Sequence, residues 1–262
     1  MKKSIILFLI IALTQSLTAQ NNQTTPEKAW FDIQISQHIG LNSWSNASYV
    51  NDGLPATTIT ELRGVLNILI SKKYIGGFVD IGAGIMPAPK MQSLNLAQMP
   101  MPYSGTKYYL REILSESGSC NTSVNVKMTF GLFGKLSVNE NLTVMPCLGY
   151  GFLTLPKREF EVILKEHGSN MQYQTKYIWN SKGKDEYGEP PVLGYCNGRL
   201  NFKYKLSAKT SLLFGLEYTW FLNTLDFYGK YTNTFNENVE RDFTVKGNKV
   251  NMFGISAGIS FM

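Results

Sequence analysis

Residues 251–262 read NMFGISAGISFM, a segment in which Phe253, Ile255, Ala257, Ile259 and Phe261 fall two apart. Gly254, Ser256, Gly258 and Ser260 fill the places between them. A period of two belongs to the β-strand, whose successive side chains point to opposite faces of a sheet. One face of this strand is therefore apolar and aromatic, and the other holds only glycine and hydroxyls.

The same alternation recurs upstream. Phe31, Ile33, Ile35, Ile39 and Leu41 oppose Asp32, Gln34, Ser36, His38 and Gly40, with Gln37 interrupting the apolar side. Leu62, Leu66, Ile68 and Ile70, with Gly64, oppose Glu61, Arg63, Asn67 and Ser71, although Val65 and Leu69 blur the polar side. Ile75, Val79, Ile81, Ala83 and Ile85 oppose Gly76, Asp80, Gly82 and Gly84. Val124, Val126, Met128, Phe130 and Leu132 oppose Asn125, Lys127, Thr129, Gly131 and Lys135, and Leu142, Val144, Leu148, Tyr150 and Phe152 oppose Thr143, Gly149 and Gly151. Leu200, Phe202, Tyr204 and Leu206 oppose Arg199, Asn201, Lys203 and Lys205; Leu212, Phe214, Leu216, Tyr218 and Trp220 oppose Gly215, Glu217 and Thr219. With the terminal segment this makes eight strands, and the expected class is all-β.

The connections alternate in length. Lys72 with Lys73, Asn139 to Asn141 and Ser207 to Lys209 are short turns. Between them run Ser43 to Ala56, Pro87 to Asn121, Leu155 to Pro191 and Leu222 to Lys246, rich in Gly, Pro, Asn, Ser or charge. Within the third of these, Phe160 to Leu164 and Met171 to Tyr177 alternate about a turn at His167 to Asn170, which predicts a hairpin prolonging the flanking strands. Tyr173, Lys176, Tyr177 and Trp179 could serve there as a recognition surface, although hairpin packing accounts for the same composition. The proline-rich Pro87 to Asn121 segment reads as a lid or as variable surface.

Lys2 and Lys3 followed by the apolar run Ile5 to Leu13 and by Leu17, Thr18 and Ala19 read as an export signal. The expected organisation is thus a signal peptide over residues 1–19, a short periplasmic segment over 20–29 and a barrel over 30–262. No stretch reaches the roughly 20 apolar residues of a membrane-spanning helix. The net charge of +6 comes from interspersed charges of both signs, without the basic block of a nucleic-acid partner. Cys120, Cys147 and Cys196 lack the paired spacing of a disulfide framework or zinc site, and His38 and His167 are the only histidines. No metal or other cofactor is expected.

Alternation alone also fits a soluble barrel with its apolar face turned inward. Two features favour the opposite arrangement. The apolar faces carry aromatics toward both rims, with Phe31, Phe202, Tyr204 and Phe261 at the short-turn end and Tyr150, Phe152, Tyr218 and Trp220 at the long-loop end, as amphipathic rings do at bilayer interfaces. The small, hydroxyl-rich face suits a narrow crowded lumen. In a bilayer such a sheet must close on itself, and an even strand count allows antiparallel closure.

Signal, alternation, loop asymmetry and an aromatic terminal strand together resemble the eight-stranded outer-membrane β-barrel superfamily, including OmpA-type transmembrane barrels and the Bacteroidetes outer membrane protein beta-barrel domain, or porin family. The likeness covers nearly the whole mature chain as a pattern. It implies an up-and-down barrel in the Gram-negative outer membrane with short periplasmic turns, long extracellular loops and both termini periplasmic. It implies outer-membrane lipids and lipopolysaccharide as surroundings, barrel assembly machinery as partner during insertion, and a possible surface or periplasmic protein partner.

On the inner face this reading places Asp32, Glu61, Asp80 and Glu217 with Arg63, Lys127, Lys135, Arg199, Lys203 and Lys205. A turn centred on Ala208 sets Arg199 opposite Glu217. In so narrow a barrel paired charges serve as a plug; a small pore favouring anions, from the excess of bases, is the rival. Ser36 and His38 share a face and invite comparison with lipid-hydrolysing barrels, but they point away from lipid and lack an identifiable acid. A subunit of a secretion apparatus is a further alternative. The expected role is structural or surface-interacting, and non-enzymatic.

Overall fold

The computed structural model describes residues 29–41, 58–70, 74–87, 102, 105–116, 122–155, 158–180, 192–224, 226–234, 240–245 and 247–261. The expected signal peptide, nearly all of the 20–29 segment, the Ser43 to Ala56 loop, the Lys72–Lys73 turn and Cys120 lie outside the described residues. The strands are β1 (Ala29–Gly40), β2 (Thr58–Leu69), β3 (Ile75–Pro87), β4 (Tyr108–Glu116), β5 (Thr122–Gly134), β6 (Leu136–Ser137), β7 (Leu142–Thr154), β8 (Arg158–Glu166), β9 (Gln172–Asn180), β10 (Val192–Lys205), β11 (Thr210–Phe221), β12 (Asp226–Asn233), β13 (Glu240–Val245) and β14 (Asn251–Phe261).

Eight of these, β1, β2, β3, β5, β7, β10, β11 and β14, correspond to the eight alternating segments, and each pairs antiparallel with its neighbours. The ring closes where β14 meets β1, from Phe31 opposite Phe261 to Gly40 opposite Met252. Closure leaves no barrel strand with a free edge, which satisfies every ladder position without solvent. The eight strands run to 11–14 residues, at or above the roughly 9–11 that a tilted strand needs to cross a bilayer.

Burial follows the alternation residue by residue. In β14 the Phe253 to Phe261 apolar series is exposed, while Gly254, Ser256 and Ser260 are buried. In β1 the isoleucines point outward while Asp32, Gln34, Ser36 and His38 point inward. Gln37, the polar break in the outer series, lies opposite Thr60, whose hydroxyl donates to Gln37 Oε1 at 2.6 Å. Val65, which blurs the pattern of β2, is an inner-face residue buried near Trp30 and Phe78.

The long connections hold more order than the sequence suggests. The expected hairpin forms as β8 and β9, and Gly168 occupies its turn at φ +84°, a left-handed geometry that glycine adopts without a Cβ clash. It is the middle of a second sheet, ordered β13-β12-β9-β8-β4. The Pro87 to Asn121 segment, read as a lid or as variable surface, contributes a strand, β4, along residues 108–116, and the β11–β14 connection contributes two. This crown sheet buries Val162, Leu164, Tyr173, Thr175 and Tyr231 on one face. The β4 pairing is broken by register shifts at Leu110/Glu112 and Ile113/Ser115, which scramble its alternation.

The closing seam is testable by crosslinking. With the native cysteines replaced, Ile33→Cys and Ile259→Cys sit directly opposite each other and should oxidise to a disulfide, since antiparallel partners lie about 4.5–5.5 Å apart at Cα. Ile33→Cys with Phe253→Cys should not. Equal crosslinking of both pairs on a non-reducing gel would show that the seam lacks this register.

Candidate functional site

The interior is stacked in layers. At the short-turn end Trp30, Val65, Phe78, Phe133, Met145 and Cys147 form one apolar cluster. At the long-connection end Ile59, Met86, Leu153, Leu155, Leu193, Tyr195, Phe221, Val250 and Met252 form another. Every one of these is either on the inward parity of its strand or at a strand end; Glu61, Arg63, Lys127 and Glu217 are joined between the two clusters, while Lys203 reaches the Trp30 ring at the short-turn end.

Glu217, from β11, is the centre of the charged layer. Its Oε2 accepts from Arg63 Nη1 at 2.5 Å, and its Oε1 accepts from Lys127 Nζ at 2.8 Å, Asn197 Nδ2 at 3.1 Å and the Thr219 hydroxyl at 3.1 Å. Arg63 also donates through Nε and Nη2 to Gln34 Oε1 at 3.0 and 2.8 Å. Arg199 meets Asp80 at 2.7 Å, and Lys127 lies 3.6 Å from Glu61. Asp32 accepts from Asn67 Nδ2 at 2.8 Å. The cations also reach the apolar layers: Arg199 stands 4.5 Å from the Phe78 ring centroid and Lys127 5.3 Å from that of Tyr195.

The structure places all eight charged residues Asp32, Glu61, Arg63, Asp80, Lys127, Arg199, Lys203 and Glu217 on the inner face, buried. Arg199 does lie directly opposite Glu217 in the β10–β11 register. Their contact is a long one, 3.9 Å, because Arg199 turns to Asp80 on β3 and Glu217 is occupied by Arg63 and Lys127 on β2 and β5. Adjacency between neighbouring strands is readable from a turn; contacts across a closed lumen are not.

Lys205 is exposed and Lys135 half-buried, so both belong to the short-turn mouth and not to the central layer as expected. Buried acids and bases among the described residues are then four each, which removes the excess of bases that suggested an anion pore. Space for the charges comes from glycine: a Cβ on Gly82 would collide with Glu61 Oε1, and one on Gly254 with His38 Nδ1.

Ser36 and His38 are buried in the lumen, and their side chains meet at 3.1 Å through His38 Nε2. The acid that the sequence left unidentified is Glu61, 3.5 Å from the same nitrogen. A serine–histidine relay needs the acid on one ring nitrogen and the serine on the other. Here both crowd Nε2, a geometry that joins β1 to β2 and does not activate a nucleophile. Cys147 and Cys196 are free thiols. Among the described residues no His, Cys, Asp and Glu cluster is placed to hold a metal.

On the outer wall Tyr150, Phe152, Tyr204, Tyr218, Trp220 and Phe261 are exposed, while Phe31 and Phe202 are half-buried. The tip of the Phe31 ring lies over Gly64, where a Cβ would meet its Cζ at 2.8 Å. Trp30, Phe78, Phe133, Met145 and Tyr195 are inner-face residues that sequence reasoning missed. Their signal is parity: each shares its strand's odd or even positions with the polar set.

No protein-family model matches the sequence, and no curated protein is significantly similar to it. Among solved structures the chain is similar to a major outer membrane protein from Thermus thermophilus, at 12% identity over 88% of this chain and 98% of that one, with a TM-score of 0.42. It is similar to Neisserial surface protein A at 12% identity over 90% and 99%, TM-score 0.38. It is also similar to the translocator domain of the autotransporter NalP from Neisseria meningitidis at 10% identity over 99% and 98%, TM-score 0.30.

Glu217→Gln leaves Arg63 and Lys127 buried without their shared carboxylate. Its expected effect is a loss of about 3–5 kcal/mol of stability, read by urea unfolding of the barrel in lipid vesicles. Adding Lys127→Met should restore part of that loss, with a coupling of about 0.5–3 kcal/mol. Strict additivity of the two substitutions would show that the pair does not interact.

Proposed function

We propose that the chain is an integral outer-membrane barrel with a sealed lumen, which anchors an ordered sheet beyond its long-connection rim in a structural or surface-interaction role and carries out no catalysis. The observation that carries this reading is the inversion of the wall. Ile35, Val124 and Leu148 are more than 60% exposed on the outside, whereas Arg63, Glu61 and Asp80 are almost wholly buried inside. In water such a wall would expose a continuous apolar belt far larger than the few hundred Å² that soluble monomers tolerate. In lipid the belt is solvated and the charges are the part that must be enclosed.

Bacterial outer-membrane barrels turn short connections toward the periplasm and long ones outward. On that pattern the crown sheet faces the exterior, the termini are periplasmic, and lipopolysaccharide and phospholipid surround the aromatic rims. Insertion would then use the cell's barrel assembly machinery. The finer resemblance, to OmpA-type and Bacteroidetes barrels, rests on sequence pattern alone.

The narrow channel is disfavoured by the two apolar clusters. Solutes entering from either end meet a packed apolar layer, Leu153, Leu193 and Phe221 on one side and Trp30, Phe78 and Phe133 on the other, before they reach the Arg63–Glu217 network. The space left beneath the upper cluster, between His38, Lys127 and Tyr195, is about 10 Å³, room for one water molecule at most.

Two measurements test these claims. Ile255→Lys, at an outward position midway along β14, should destabilise the barrel in bilayers by about 2–4 kcal/mol. On a water-facing wall the same change stays within about 0.5 kcal/mol, and that result would remove the membrane assignment. Separately, the purified protein in planar bilayers should show no discrete conductance steps; steady openings that vanish on blocking the lumen would establish a pore.

A further inference from the structure

We draw no further inference here: the strongest candidate, the open apolar groove on the outer wall where Cys196 and Gly198 of β10 lie beside Tyr150 of β7 and Tyr218 of β11, belongs to the apolar wall already described, and nothing in the structure shows what covers it.

Discussion

A ring of eight strands has a fixed girth, and the girth decides what its interior can contain. With about eight strands the bore is just wide enough for side chains to fill. Each inner position therefore either projects into its neighbours or must be glycine. Gly82 stands aside for Glu61 and Gly254 for His38, so the glycine content of the inner face and its charge content are one feature. Large inner groups on some strands need absent ones on the next.

Within that bore the charges have no solvent to fall back on, and each is met by protein. Glu217 alone accepts from β2, β5, β10 and β11. A buried ionic network adds little to stability relative to an apolar filling. What it does is specify: a strand shifted by one residue would turn its charges to the outer wall and its isoleucines into the lumen. Arg63, bonded to both Gln34 and Glu217, ties β1 to β11 through β2 and makes such a slip untenable on either side.

The architecture was legible because a strand's parity is local. The 251–261 segment, the Ala208 turn and the Arg199–Glu217 register all follow from counting residues. What escaped counting was anything that depends on closure or on broken alternation. Asp80 meets Arg199 across the lumen, from strands that are not neighbours. β4 hides behind its register shifts, and β12, β13 and β4 form a sheet only because the β8–β9 hairpin stands between them. Lys135 and Lys205 were assigned to the central layer for a related reason: they share the parity of lumen residues, and their height along the barrel, not their face, separates them from it. Trp30 and Phe78 were masked by being apolar on a face read as polar.

The upper cluster joins the two halves of the molecule. Ile59 is the second residue of β2, Met86 the last but one of β3, Leu155 follows β7, Leu193 is the second residue of β10, Phe221 closes β11 and Val250 precedes β14. These are the points where long connections leave or rejoin the barrel. Backbone bonds continue the ladder at the same height, with Phe221 N donating to Val250 O at 3.1 Å and Leu222 N to Gly194 O at 2.8 Å. Packing that seals the bore therefore also fixes the roots of the crown strands, so that loosening one loosens the other. A barrel whose mouth had to open for solute would need those roots to move apart, and the crown sheet, hydrogen-bonded across β4, β8, β9, β12 and β13, links three of the connections that would have to separate. A closed lumen and an ordered outer sheet are consequences of the same contacts.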